Sequence, residues 1–334
     1  MHAFGSKSRA AAMLVFTTLA WGAMFAIAKT ALGTLDAFWL SAVRYVPAAL
    51  VMLAVLAFVE GPAALNPKGA AWRMLGYGTL GFAGFSILGF LGLSQSRPEH
   101  AAIIIALLPL VTAVLNWLLR GRRPAPVTVA SLLVAFTGVA MVVTKGDLRL
   151  ALHGTLHADA LVLAGVVCWA AYTMGAATAP AVPVPERSRV RSGSATGRAK
   201  VAPMSTLRYT ALSMAGGAIG IAIVTLVASA AGLAHPPAWH AVAALPLEIA
   251  YLSLVAGVLA VLAWNGGVAV LGPPNAVLFI NLVPLTALAI GIAQGHRFGR
   301  VEWIGAGLVI GALVVNNLAT RAATPALASK PKFA

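Results

Sequence analysis

The sequence predicts an all-α polytopic membrane protein, with ten transmembrane helices arranged as two inverted five-helix repeats. Three observations carry this. Of 334 residues, 60% are hydrophobic and only 9% are charged, whereas about a quarter of an average soluble domain is charged. Apolar runs of the ~20 residues needed to cross the hydrocarbon core recur from Ala11 to Thr320, with little chain between them. Third, the second half echoes the first: Ser41-Ala-Val-Arg44-Tyr45 returns as Ser205-Thr-Leu-Arg208-Tyr209, and Pro98 with Pro109-Leu110 returns as Pro273 with Pro284-Leu285. Trp21 in Leu-Ala-Trp-Gly-Ala is likewise echoed by Trp169 in Val-Cys-Trp-Ala-Ala. Continuous Leu/Ala/Val/Ile runs argue against the alternating strands of an outer-membrane barrel. An apolar chain built from two similar halves is the usual signature of a transporter.

Residues 1–10, with Lys7 and Arg9, form a short cytoplasmic N-terminus. The run that follows superficially resembles a signal peptide, but it is long enough to span and is read as a retained first helix. Spans are expected near 11–31, 36–59, 70–94, 99–119 and 127–144, making a first repeat over 11–144. Those near 158–179, 204–232, 245–270, 275–294 and 302–320 make a second repeat over 158–320, followed by a cytoplasmic tail, 321–334. Gly61-Pro62, Gly121 with Pro124 and Pro126, Gly146-Asp147, His235-Pro236-Pro237 and Gly272-Pro273-Pro274 punctuate them as turn residues do. Within the second repeat, the stretch 180–203 carries Pro180, Pro183 and Pro185, then Arg187, Arg189, Arg191, Arg198 and Lys200 among Ser and Gly. Such a stretch cannot bury a core and reads as a solvated basic loop that fixes topology.

Lys and Arg cluster at span ends rather than along one face, so the net charge of +15 points to topology and not to nucleic acid. With both termini in the cytoplasm, sixteen basic residues fall inside and seven outside, as the positive-inside bias requires. Five spans per half is an odd number, so the second half enters the membrane from the opposite side. That inversion is the geometric basis of alternating access.

The residues that could carry chemistry lie within spans. Arg44 and Arg208 share a Ser-x-x-Arg-Tyr setting with Tyr45 and Tyr209. A charge at that depth costs a few kcal/mol unless it snorkels, pairs or faces water. Each arginine therefore reads as a cavity or gate residue, with interfacial anchoring as the alternative. Trp21, Phe25 and Lys29 share one helix face, and the matching face of the sixth span carries Trp169 with Tyr172 or Thr173. Together they could line a cavity for a semi-polar organic molecule, or they could serve packing; Lys29, near a helix end, is expected to snorkel. Pro109 and Pro284 sit inside spans and would kink both repeats at matched places. Asn116, Asn265 and Asn281 could line a path or bond between packed helices.

Absences narrow the function. No Asp or Glu lies mid-span: Asp36, Glu60, Glu99, Asp159, Glu248 and Glu302 fall at or near span ends, which argues against proton coupling through an intramembrane carboxylate. No P-loop is present, so an ATP-driven pump is excluded within this chain. Cys168 is the only cysteine and reads as a packing residue. His153 and His157 are too few for a metal site. No catalytic residue, metal or cofactor is expected, and a small-molecule substrate and the lipid bilayer are the expected partners. Homodimerisation stays open, because Gly216-Gly217-x-x-Gly220 can pack within or between chains.

Leu-Ala-Trp21-Gly22, Arg44-Tyr45, and the Leu-Leu-Pro109-Leu and Leu-Val-Pro284-Leu pair together resemble the EamA-like family of the drug/metabolite transporter superfamily. So does the closing Gln-Gly295-His-Arg…Trp303-Ile-Gly305-Ala-Gly-Leu-Val-Ile-Gly311. The resemblance implies ten helices, cytoplasmic termini and a central cavity. It also implies movement of amino acids, other metabolites or drugs across the bacterial inner membrane, often outward. Members commonly carry a Glu after the Gly that precedes each repeat's last helix, where this chain has Arg122 and His296. The reading is a secondary transporter of small organic solutes by alternating access, an exporter as the resemblance implies, with Trp21, Arg44, Tyr45, Trp169, Tyr172, Arg208, Tyr209 and Asn265 as candidate substrate residues and Pro109 and Pro284 as hinges. A lipid-linked substrate flippase, or a receptor or assembly factor without transport, is the alternative.

Overall fold

In the computed structural model, the structure describes residues 2–121, 123–147, 156–176, 181–183, 201–271 and 276–323. Arg122, His153, Pro273, Pro274, most of the basic stretch 180–203 and the tail beyond 323 lie outside the described residues. The described chain is overwhelmingly helical. One feature is added to the all-α expectation: Ala181–Pro183 and Val201–Pro203 pair antiparallel, with Ala181 opposite Pro203.

The helices are α1 (His2–Ala31), α2 (Ala37–Glu60), α3 (Ala71–Gln95), α4 (Pro98–Ala106), α5 (Leu108–Arg120) and α6 (Pro126–Thr144) in the first half. The second half holds α7 (Leu156–Ala176), α8 (Thr206–Ala230), α9 (Pro246–Leu271), α10 (Leu282–Ala293) and α11 (Arg300–Ala323). Among the described residues, eight helices are long and apolar enough to cross a membrane, and nine if α4 and α5 count as one bent span. The apolar segment Phe279–Ala293 is shorter.

Local chemistry sets the boundaries. Asp36 caps α2, accepting from the backbone N–H of Phe38 and of Trp39 at 2.9 Å each. Its other oxygen accepts from the His235 N–H at 2.9 Å, which ties the start of α2 to the segment after α8. Ser205 caps α8, accepting from the Arg208 N–H at 3.0 Å. Proline opens α4 and α6 at the first helical position, where its missing N–H is not needed. Gly121 ends α5 in the left-handed region, with φ 66°.

α1 packs on α9 and α10, and α7 packs on α3 and on the α4–α5 pair. α2 lies against α8 and α9, while α8 lies against α2 and α3. α6 pairs with α11, and α4 with α10. Exchanging the two halves maps each of these pairings onto another or onto itself. Close approach needs small residues: a Cβ added at Gly217 would lie 2.6 Å from the Phe82 Cβ, and one at Gly220 would lie 2.3 Å from the Thr79 Oγ1. The glycines of Gly216-Gly217-x-x-Gly220 are thus used inside the chain, where α8 meets α3.

Overpacking at such a contact costs about 1–3 kcal/mol. Gly217→Val should therefore lower the thermal midpoint of the purified protein by several degrees in a scanning-fluorescence melt, whereas Gly76→Val, with nothing within 4 Å of its Cβ position, should not.

Candidate functional site

The backbone departs from regular α-helix at matched places in the two halves. α3 is π-helical over Thr79–Gly84, and α9 over Tyr251–Leu259. The α4–α5 pair bends by 46° around Leu107, two residues before Pro109. In the second half a 3₁₀ turn, Val277–Asn281, runs into α10, and Pro284 sits at the third position of that helix. A proline removes one backbone donor and crowds the carbonyl four residues back, so both breaks fall where that carbonyl lies. π turns leave a helix wide and locally under-bonded, and they recur at functional sites.

These irregular turns surround a narrow central cavity of about 60 Å³. α1 contributes Trp21, Met24 and Phe25, and α7 contributes Trp169. α2 contributes Arg44 and Tyr45, and α8 contributes Met214. Phe82 and Phe85 come from the π turn of α3 and its edge, and Ala256 and Gly257 from the π turn of α9. Ile105 and Leu108 flank the first break as Ile280 and Val283 flank the second. α6 and α11 contribute nothing to the wall. The volume is below the range of about 300–1,000 Å³ found for small-molecule sites.

Arg44 is 3% exposed. Its Nε donates to the Leu252 carbonyl, in the π turn of α9, at 3.2 Å, and its Nη2 reaches the Met24 sulfur at 3.0 Å. Its guanidinium carbon stands 4.6 Å from the Tyr45 ring centroid and 5.5 Å from that of Phe90. Trp21 Nε1 donates to the Ala256 carbonyl at 3.2 Å, another backbone group of that π turn. Phe82 is the hub of the aromatic wall, with centroids 5.4 Å from Tyr45, 5.5 Å from Trp169 and 5.1 Å from Tyr172.

Of the residues singled out in the sequence, Trp21, Arg44, Tyr45 and Trp169 meet on the cavity wall. Tyr172 stands behind it, with its ring 5.1 Å from Trp169 and its hydroxyl 3.1 Å from Ser213. Tyr209 stacks on Tyr172 at 5.5 Å. Asn265 reaches Thr210 at 3.5 Å, away from the wall. Arg208 lies farthest off: its Nη2 donates to the Asn66 carbonyl, between α2 and α3, at 2.7 Å. The cause is local. α2 starts a full turn and more before Arg44, but α8 starts at Thr206, so Arg208 occupies a helix end.

Toward the Ala31 end of α1 lies a second cavity of about 350 Å³, lined by Lys29, Gln95, Arg97, Gln294 and His296 among others. Lys29 Nζ donates to the carbonyls of Leu93, Ser94 and Ser96 at 2.9, 2.8 and 2.9 Å, closing the C-terminus of α3. Beside it, Arg97 bonds Glu302 at 3.1 Å and pairs with Glu99 at 3.4 Å. Glu99, only 1% exposed, also meets the His296 Nδ1 at 2.5 Å. Sequence reasoning missed this cluster, because its members lie about 200 positions apart. Its one signal was His296 standing in place of the expected Glu.

Residues 8–144 match the model of the EamA-like transporter family. The uncharacterized transporter YrdR of Bacillus subtilis is 30% identical over 309 residues, covering 91% of this chain and 89% of that protein. The chain belongs to the EamA-like transporter family. The uncharacterized transporter YyaM of Bacillus subtilis is 32% identical over 305 residues, covering 89% and 90% of the two chains. A solved crystal structure with 19% identity covers 95% of this chain and 99% of its own, with a TM-score of 0.59, a likeness of fold alone. Membership in the EamA-like family makes this a multi-pass membrane transporter.

Removing one partner of a buried ion pair strands the other, at about 3–5 kcal/mol, and the partial exposure of Arg97 reduces that figure. Arg97→Gln should lower the thermal midpoint clearly, and the double variant Arg97→Gln/Glu302→Gln should recover part of the loss. Equal midpoints for wild type and Arg97→Gln would show that the cluster holds nothing together.

Proposed function

We propose that the chain is a secondary transporter of small organic solutes, working by alternating access between two inverted five-helix units over 11–144 and 158–320. The observation that carries this is the make-up of the cavity wall: the first four helical segments of each half contribute to it and the last helix of each does not. A site at the seam of two exchangeable halves is what alternating access requires. The helix pairings that map onto each other on exchange support the same reading, as do the π turns and proline-associated breaks at matched positions. On this reading the bent α4–α5 pair is one crossing and the short segment Phe279–Ala293 another, which gives ten crossings. An even number with the Lys/Arg bias puts both termini in the cytoplasm of a bacterial cell, and the family resemblance favours export.

Trp21, Arg44, Tyr45 and Trp169 then touch the solute, and Tyr172 and Tyr209 buttress the wall. Arg208 and Asn265 position helices from outside the cavity. Pro109 and Pro284 each lack the N–H that would continue a regular ladder across the break, so that α5 and α10 can pivot there.

The test is counterflow in liposomes holding the purified full chain, with pooled labelled organic acids, amino acids, amines and sugars. Exchange above protein-free liposomes is expected for at least one class, and exchange of none would overturn the reading. Pro109→Ala and Pro284→Ala should each slow exchange several-fold while leaving solute binding close to wild type; unchanged rates in both would remove the hinge role.

A further inference from the structure

Among the described residues, the wall of the proposed cavity carries one full charge and no acidic side chain to balance it. The wall offers no Asp, Glu, Asn, Gln, Ser or Thr side chain; besides Arg44, its polar groups are the Tyr45 hydroxyl and the two indole N–H groups. An arginine stays protonated in proteins and carries five N–H donors. Here Nε is used on a carbonyl and Nη2 on a thioether sulfur, which is a weak acceptor. Nη1 is buried and has no hydrogen-bond partner among the described residues. Anchoring of α2 to α9 accounts for the Nε bond and leaves Nη1 unexplained. A buried donor without a partner costs about 1–3 kcal/mol, and more for a charged group.

The eight acidic residues of the chain are engaged or placed elsewhere. Asp36 caps α2, Glu60 accepts from Ser205, Glu99 and Glu302 hold Arg97, and Asp159 accepts from Ser96. Glu248 and Asp147 lie at helix ends away from the wall, and Glu186 lies outside the described residues. The second half adds no second cation, since Arg208 is spent on the Asn66 carbonyl.

We infer, on the reading of this cavity as the transport site, that its substrate is an organic monoanion: one carboxylate on an apolar or aromatic body, with the Arg44 guanidinium as counter-ion. The carboxylate accepts from Nη1, and the body lies among Trp21, Phe25, Phe82, Phe85 and Trp169. Guanidinium and carboxylate are matched in shape and charge, and the pair gains strength where water is excluded. Tyr45 and Phe90 hold the guanidinium in place from its face. A zwitterionic amino acid is disfavoured, because its ammonium would meet no carboxylate. A cation is opposed outright by Arg44.

The test uses the purified full chain in nanodiscs and four probes of one shape: 3-phenylpropionate, its neutral amide, 3-phenylpropylamine and L-phenylalanine. Binding is read by calorimetry and by the tryptophan fluorescence of the chain. The carboxylate should bind at least about tenfold more tightly than each of the others, since tenfold is only ~1.4 kcal/mol. Arg44→Gln should remove that preference, and Arg44→Lys should keep part of it. Equal affinity for the amide, tighter binding of the amine or of phenylalanine, no binding by any probe, or a preference that survives Arg44→Gln would each overturn the inference. If Arg44→Gln does not fold, the wild-type ranking of the four probes decides alone. Counterflow separates this inference from the transport reading. Carboxylate binding without exchange of any solute overturns transport and leaves the anion site, whereas exchange confined to neutral or cationic solutes does the reverse.

Discussion

Inside a bilayer the peptide N–H and C=O groups have no water to turn to, so each must find a partner within the protein. For most of this chain an unbroken α-helical ladder meets that demand. The ladder is disturbed at four places, the two π turns and the two proline-associated breaks, and all four border the same cavity. In the π turn of α9, two carbonyls accept from side chains of the cavity wall: Leu252 from Arg44 and Ala256 from Trp21. The residues that bound the cavity are thus the same ones that make its irregular backbone tolerable in an apolar medium. Changing Arg44 or Trp21 alters the wall and the fold together.

Around this centre the packing is close. Aromatic rings from three helices meet at Phe82, while glycines let α8 approach α3 until backbone touches backbone. Without much hydrophobic drive between helices in lipid, such contact and interhelical hydrogen bonds are what hold a bundle together. The polar end near residues 93–100 and 294–302 works differently, through Lys29 on three carbonyls and Arg97 on two carboxylates.

Much of this was legible in the sequence because the chain repeats itself. The echo of Trp21 in Trp169 marked two residues that share a wall, and Pro109 and Pro284 marked both breaks. Arg44 stood out by its depth in an apolar run. Its partner in the echo, Arg208, went elsewhere, because a repeat in sequence does not fix where each helix begins. The π turns left no legible trace: they depend on how α3 and α9 are packed, and Thr79–Gly84 reads like any small, apolar helical stretch. Phe82 and Phe85 were hidden for the same reason, as two apolar residues among many. The charged cluster needed three dimensions, since nothing local links Glu99 to His296.

That cluster makes the two halves unequal. The position that matches Glu99, counting from the paired prolines Pro98 and Pro273, is Pro274, and the position that matches His296 after its glycine is Arg122. In the proposed exchange of conformations, the mirror arrangement at the opposite end would have neither the acid nor the imidazole. Two shapes related by near-symmetry therefore differ in energy by what one ionic cluster is worth. On that proposal, the shape that breaks the cluster loses its ion pairs and gains none at the other end, so the two shapes cannot be equal in energy.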